Sequence, residues 1–163
     1  MYDLPGLVYK DDSITEKIKN IIKKYTFGKD TLIMLIVPAT QDLTTSEALS
    51  LIRKNEDYQE RTLAVVTKID LAINEKGILN KITNHELKLR YPPFVVRNRN
   101  QDELDKNESI TSIRQKEMKL IEGSELYNLA NSSKGTDNLV VKLIELQKEI
   151  LLRSKSSLKL ELN

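Results

Sequence analysis

The sequence of 163 residues has no cysteine and no tryptophan, one histidine, four prolines and five glycines. Without cysteine there is neither a disulfide framework nor a thiolate metal site, as fits a reducing compartment. The single histidine, His85, lies in the polar stretch "ITNHELK" and reads as a surface helix residue, not a catalytic base. A net charge of +2 supplies no general attraction for nucleic acid or a membrane surface. The longest unbroken apolar run, "LIMLIV", falls far below the roughly 18 residues needed to span a bilayer, and the first residues do not resemble a signal peptide. What is present, 39% apolar and 31% charged residues, describes an ordinary soluble globular protein, and 163 residues allow one domain. A chain of this length buries roughly two thirds of its unfolded surface, enough for a real core.

Hydrophobic period alternates between helix and strand along the chain. "DDSITEKIKNIIKKYT" carries Ile14, Ile18, Ile21 and Ile22 at helical spacing, with Ser13 and Glu16 placed as a capping box. "TLIMLIVPA" is apolar at every position up to Pro38, the pattern of a parallel strand covered on both faces. "DLTTSEALSLIRKN" predicts a second helix with Leu43, Ala48, Leu49 and Ile52 inward. "RTLAVVTKID" is a buried strand that turns polar abruptly after Val66, and "PPFVVRNRNQDEL" repeats that pattern with Phe94 to Val96. "SITSIRQKEMKLIEG" is a helix capped by Ser109 and closed by Gly123. "SSKG" at 132–135 reads as a short linker, and from Gly135 one long helix follows with Leu139, Leu143, Leu146, Ile150 and Leu151 as its apolar stripe. The fold class is therefore α/β, a mostly parallel sheet flanked by helices with a long C-terminal helix. Two strands with polar carboxyl ends suggest a ligand crevice beyond them, where open α/β sheets bind ligands.

The strongest chemistry lies in "TKID" at 67–70. An ionised carboxylate only accepts hydrogen bonds, so Asp70 at a strand end suits the ring N–H and exocyclic amino group of guanine, a donor pair that adenine lacks. A site built on such contacts discriminates by about 10⁴-fold or more. Lys68 can lay its apolar stem along the base while its ammonium stays solvated, and Thr67 would steady the loop. A charged turn after a strand is the plainer reading of the same four letters. "DLPG" at 3–6 is equally two-sided. It is either an ordinary Pro-Gly turn, or a turn in which Asp3 sits behind a magnesium-bound water and Gly6 lets its backbone N–H approach a terminal phosphate.

Order and spacing join these pieces. "DLPGL", "TLIMLIVPATQDLTTSEAL", "QERTLAVVTKIDL" and "VVRNRNQDEL" together resemble the dynamin superfamily of large GTPases over nearly the whole chain. The resemblance implies the carboxyl-terminal part of a P-loop-type GTPase domain, with GTP or GDP and Mg²⁺ as ligands of the parent protein. It assigns Lys68 and Asp70 to base reading, Asn98, Arg99 and Gln101 to base and ribose contacts, Asp3 to the metal through water, and Gly6 to the catalytic switch. Asn100 stands where the family usually has Ser, and Arg97 is an extra arginine before the set. The loop "LAINEKG" after Asp70 does not align with the acidic residue that reaches across a dimer in the family. The terminal helix lacks the proline that relatives often place near Ser156, so a continuous helix is expected.

No "GxxxxGKS" occurs, so no backbone loop cradles phosphates and no P-loop lysine is supplied. The expectation is a fragment in which Met1 and Tyr2 end a strand, residues 1–153 form an incomplete GTPase domain lacking the P-loop and first switch, and residues 154–163 begin a helical bundle. In the parent the resemblance implies self-association through GTPase domains, cytoplasmic localisation and an indirect, peripheral link to membranes, with no nucleic-acid partner. For the chain alone it implies no turnover and no bound cofactor. A degenerate GTPase domain serving as a non-catalytic interaction module is the competing reading. The lysines of 17–24 read as a solvated face, and Tyr91 before "PP" as packing.

Overall fold

The computed structural model describes residues 2–7, 12–28, 30–83 and 88–161, with side chains as far as residue 152. Met1 and His85 lie outside the described residues. The elements in chain order are α1 (Asp12–Thr26), β1 (Ile33–Pro38), α2 (Glu47–Ile52), α3 (Tyr58–Arg61), β2 (Thr62–Thr67), α4 (Ile69–Ala72), α5 (Ile78–Ile82), β3 (Phe94–Val95), α6 (Gln101–Asp105), α7 (Ile110–Glu122) and α8 (Gly135–Glu161). Two short 3₁₀ turns, Glu125–Asn128 and Asn131–Ser133, join α7 to α8.

The three strands form one parallel sheet in the order β1-β2-β3, as their apolar character predicts. β2 is buried from Thr62 to Val66 and is the central strand. Its register sets Leu35 against Ala64 and Val37 against Val66 on one side, and Val66 against Val95 on the other. One face of the sheet carries Ile33, Leu35, Val37, Ala64, Val66 and Val95, and it packs under α2, α5 and α7 through Leu49, Ile52, Ile78 and Ile121. The opposite face carries Leu63, Val65, Phe94 and Val96, which α8 covers with Leu139 and Leu146. Tyr91 packs against this second cluster between the cations of Arg90 and Lys142, which lie 5.1 and 4.7 Å from its ring centroid.

Several local expectations change. β1 is covered on one face only: Met34 and Ile36 are 38% and 55% exposed, because α8 reaches over β2 and β3 but not over β1. Ser13 lies inside α1, not before it, so the helix starts earlier than the capping box at Ser13 and Glu16 predicts. Within α1 only Thr15, Ile18 and Thr26 are buried, while Ile14 and Ile21 face outward, since the helix meets its neighbours along a narrow face. "SSKG" is no linker: Ser133 and Lys134 are buried, and Lys134 bridges in parallel to Val95 at the sheet edge. Tyr2 belongs to no strand, residues 2–7 being irregular.

α7 matches its reading closely, with the Ser109 hydroxyl accepting from the Ser112 N–H at 3.2 Å and Gly123 ending the helix. α8 runs unbroken through residues 153 and 154, the continuity expected without a proline. Its stripe holds at Leu139 and Leu146, but Leu151 is exposed because α8 has by then run past the sheet. Among the described residues no helix is long and apolar enough to cross a membrane.

Ile121 is fully buried between α7 and α5, whereas Ile110 is exposed at the start of the same helix. Ile121→Ala should therefore lower unfolding free energy by about 2–5 kcal/mol. Ile110→Ala should stay within about 0.5 kcal/mol, both values read from urea unfolding followed by circular dichroism.

Candidate functional site

The "TKID" segment turns sharply at the carboxyl end of β2. Thr67 ends the strand, Lys68 adopts the left-handed region at φ 55° and ψ 37°, and α4 begins at once. Ile69 is fully buried and pins the turn, which leaves Lys68 exposed and Asp70 half-buried at the sheet end. The Leu71 N–H donates to the Lys68 carbonyl at 3.1 Å. A left-handed non-glycine residue costs about 1–2 kcal/mol. Such strain gathers at ligand sites and turns held by their surroundings.

β3 ends beside it. The Val96 N–H donates to the Val66 carbonyl at 2.9 Å, continuing the ladder past Val95 and bringing the Arg97–Asn100 segment alongside the turn after β2. Arg97 is held twice. Its backbone N–H donates to the Glu117 carboxylate at 2.7 Å, and its guanidinium Nη2 donates to both oxygens of Glu103 at 2.9 Å. Glu103 also accepts from the Asn100 N–H at 3.0 Å and from the Lys116 ammonium at 3.0 Å. In return the Asn100 side chain accepts from the Glu103 N–H at 2.9 Å, a complete capping box that starts α6. The Arg97 guanidinium first, then the Asn100 amide, hold the Glu103 carboxyl down to about 2, with Lys116 adding to both against the opposing effect of burial.

Glu117, almost fully buried, accepts from the Thr136 N–H and hydroxyl, each at 2.9 Å, as well as from Arg97. It thereby ties the end of β3 to the first turn of α8.

The structure brings Thr67, Lys68, Asp70, Asn98, Arg99 and Gln101 to one end of the sheet, on the loops that follow neighbouring parallel strands. Gln101 is engaged within its own helix, its amide donating to Asp105 at 2.8 Å. The side chains of Lys68, Asp70, Asn98 and Arg99 have no hydrogen-bond or ion-pair partner among the described residues, and all four are exposed or half-buried. A cation, a carboxylate, an amide and a guanidinium are thus free to meet a planar polar ligand.

Tyr2, the neighbour of Asp3, lies elsewhere. Tyr2 stacks on Tyr25 with ring centroids 4.6 Å apart, close to the end of α1. That end lies at the amino side of the sheet, because Arg61, just before β2, donates to the Thr26 carbonyl at 3.2 Å. Asp3 and Gly6 are exposed, and a Cβ at Gly6 would meet nothing within 4 Å. Among the described residues no three acidic or histidine side chains gather closely enough to hold a metal ion.

One support of the loop after β3 is local in sequence and one is not. Asn100 followed three residues later by Glu103 is a capping-box signature. Arg97 stood out as a surplus arginine, but its partners lie 6 and 20 residues away and only the folded chain joins them.

Residues 1–69 match the family described as "Dynamin family", and residues 77–163 match "Dynamin central region". The chain belongs to the dynamin family. This dynamin-family chain is 30% identical over 160 residues to Phragmoplastin DRP1A of Arabidopsis thaliana, an overlap of 95% of the chain and 26% of that relative. It is 36% identical over 104 residues to Dynamin-related protein 4C of Arabidopsis thaliana, covering 61% of the chain and 15% of the relative. It is 29% identical over 124 residues to Interferon-induced GTP-binding protein Mx1 of Oncorhynchus mykiss, covering 72% of the chain and 20% of the relative. The dynamin-family chain thus spans about a quarter or less of the length of these relatives.

Glu103 ties stability to pH. Its carboxyl is depressed in the folded chain from an ordinary value of 4.5 to about 2, so its stabilising contribution is complete above about 4.5 and is lost as pH falls toward 2. The urea midpoint of Glu103→Gln should fall less steeply between pH 5 and about 3 than that of the unsubstituted chain. Parallel slopes would contradict the assignment. Lys68→Gly should raise unfolding free energy by up to about 1 kcal/mol by relieving the left-handed turn, as measured by the same urea titration.

Proposed function

We propose that this chain is the base-reading part of a dynamin-like GTPase domain, from a parent protein that binds and hydrolyses GTP and acts mechanochemically on membranes. The observation that carries the reading is the convergence of two polar loops at the carboxyl ends of β2 and β3, with four side chains lacking internal partners. Ligands of open parallel sheets bind in that position. Asp70 would accept from guanine N1–H and the exocyclic amino group, and the stem of Lys68 would lie along the base. Asn98 and Arg99 would contact the base edge and ribose from the neighbouring loop, joined by Gln101 once it leaves Asp105. Thr67 would hold the turn in place.

Phosphate chemistry is assigned to the parent. In the parent, Asp3 would hold magnesium through water and Gly6 would approach the terminal phosphate, and the metal would supply charge neutralisation at the phosphates. Residues 1–153 would belong to the GTPase domain and 154–163 to a helical bundle, α8 running through both without a break. Self-association through GTPase domains, a peripheral position on membranes and a cytoplasmic location belong to the same proposal, and no nucleic-acid partner is proposed. One relative, Interferon-induced GTP-binding protein Mx1, is named for GTP binding, which supports the ligand class. The place of Tyr2, beside Asp3, near the amino end of the sheet favours the alternative, a degenerate domain used for interaction, as far as hydrolysis by this chain alone is concerned.

Titration with guanosine and adenosine, followed by amide NMR of the Lys68–Asp70 and Asn98–Gln101 segments, tests the reading. Guanosine should shift both segments and adenosine neither, with a dissociation constant no tighter than about 1 mM, equivalent to about 4 kcal/mol. Asp70→Asn should weaken guanosine and favour xanthosine in relative terms, because the amide presents donors to guanine's donors. Equal shifts from guanosine and adenosine, or none from either, would rule the base-reading site out.

A further inference from the structure

Three features around Arg97 do not follow from base reading alone. Arg97, Glu103 and Glu117 are charged residues buried at the root of the candidate site, with exposures of 8%, 5% and 1%. Neither carboxylate is free to touch a ligand: Glu103 accepts from Arg97, Asn100 and Lys116, and Glu117 from Arg97 and Thr136, while Nη1 of Arg97 is buried without a partner. A buried ion pair is also a poor way to gain stability, since an apolar pair of similar volume often holds two elements together as well or better. An apolar pair cannot, however, accept from the backbone N–H of Asn100, and Glu103 does.

The consequence lies in the two residues between the anchors. Arg97 is fixed at its backbone by Glu117 and at its guanidinium by Glu103; Asn100 is fixed at its backbone by Glu103 and at its side chain by the Glu103 N–H. Asn98 and Arg99 bridge these fixed points, so their backbone has little freedom while their side chains stay unpartnered. Ordering a loop before the ligand arrives removes part of the entropic cost of binding, and a recognition residue discriminates only as well as its support holds it.

We propose that Glu103 is a positioning residue for guanine recognition, clamping Arg97 and Asn100 so that Asn98 and Arg99 face the Lys68–Asp70 turn. The inference rests on the base-reading assignment above and adds to it the residue that sets its selectivity without touching the base. The groups facing Glu103 are Arg97 from the end of β3, Asn100 from the start of α6 and Lys116 from α7, the last of which also binds Glu108 at 2.6 Å. The carboxyl of Glu103 is depressed by Arg97 and Asn100 before Lys116, so the clamp is fully charged near neutrality.

The test compares the unsubstituted chain with Glu103→Gln, Asn100→Ala and Asn100→Ser. Guanosine and adenosine serve as probes, and amide hydrogen exchange is measured without ligand. Glu103→Gln sets an amide donor among three donors, and the Asn100 amide should exchange faster by roughly tenfold, the scale of one lost hydrogen bond to a charged group. In the same variant the guanosine-induced shifts at Lys68–Asp70 should fall by a similar factor, while exchange in Leu63–Val66 stays unchanged. Asn100→Ala acts at an exposed cap position, where loss of the fold is least at stake, and should reproduce the loss of selectivity. Asn100→Ser keeps a cap acceptor and should restore it. Guanosine selectivity that survives both Glu103→Gln and Asn100→Ala overturns the positioning role and leaves base reading standing. Equal responses to guanosine and adenosine in the unsubstituted chain overturn base reading and the positioning role with it.

Discussion

The parallel pairing of β2 with β3 is the constraint on which the candidate site depends. Strands alternate their side chains with a period of two, so a slip of one residue would turn Val66 and Val95 away from the cluster they share with Ile121 and Leu126. That cluster therefore fixes the register, and the register fixes where the two loops leave the sheet. The hydrogen bond from Val96 to Val66 carries the pairing one residue further, and Arg97 begins the polar segment immediately after it. Apolar packing beneath the sheet end thus decides which polar groups meet above it.

Above that floor, charge replaces apolar contact as the organising force. Glu117 joins the end of β3 to the start of α8, and Glu103 joins it to α6 and α7. Each carboxylate gathers donors from at least two elements, so each removes the desolvation cost of its own burial only when all those elements are in place. Geometry at the loop end and folding of the helices around it are consequently linked. The long helix α8 shares that link through Thr136, which gives the loop after β3 and the carboxyl-terminal helix a common buried anchor.

Much of this was legible in the residues. The continuous apolar character of "TLAVV" announces a strand buried on both faces, and β2 is one. Ser109 and Gly123 bracket α7 because cap chemistry is local and needs no tertiary partner. "TLIMLIV" misled on one point, since an apolar strand looks the same in sequence whether or not something covers its second face, and Met34 and Ile36 are left uncovered. "SSKG" misled for the opposite reason: small polar residues suggest a linker, yet Ser133 and Lys134 are buried because Lys134 bridges to Val95. The candidate base-reading residues were visible as two polar clusters after strands, and their juxtaposition followed from strand order. The support of those residues was not visible, because Arg97, Glu103, Lys116 and Glu117 are separated in sequence and joined only by folding.

The absence of cysteine makes one decisive measurement simple, since a single introduced thiol carries a spin label without competition. Leu71, 65% exposed on α4 and outside the contacts assigned to the base, is the position for it as Leu71→Cys. If the loops after β2 and β3 converge, the label should broaden the amide signals of Asn98 to Gln101 strongly and leave those of Thr26 and Thr31, at the other end of the sheet, sharp. Unbroadened signals at Asn98 to Gln101, or stronger broadening at Thr26 and Thr31, would contradict the convergence from which the site is built.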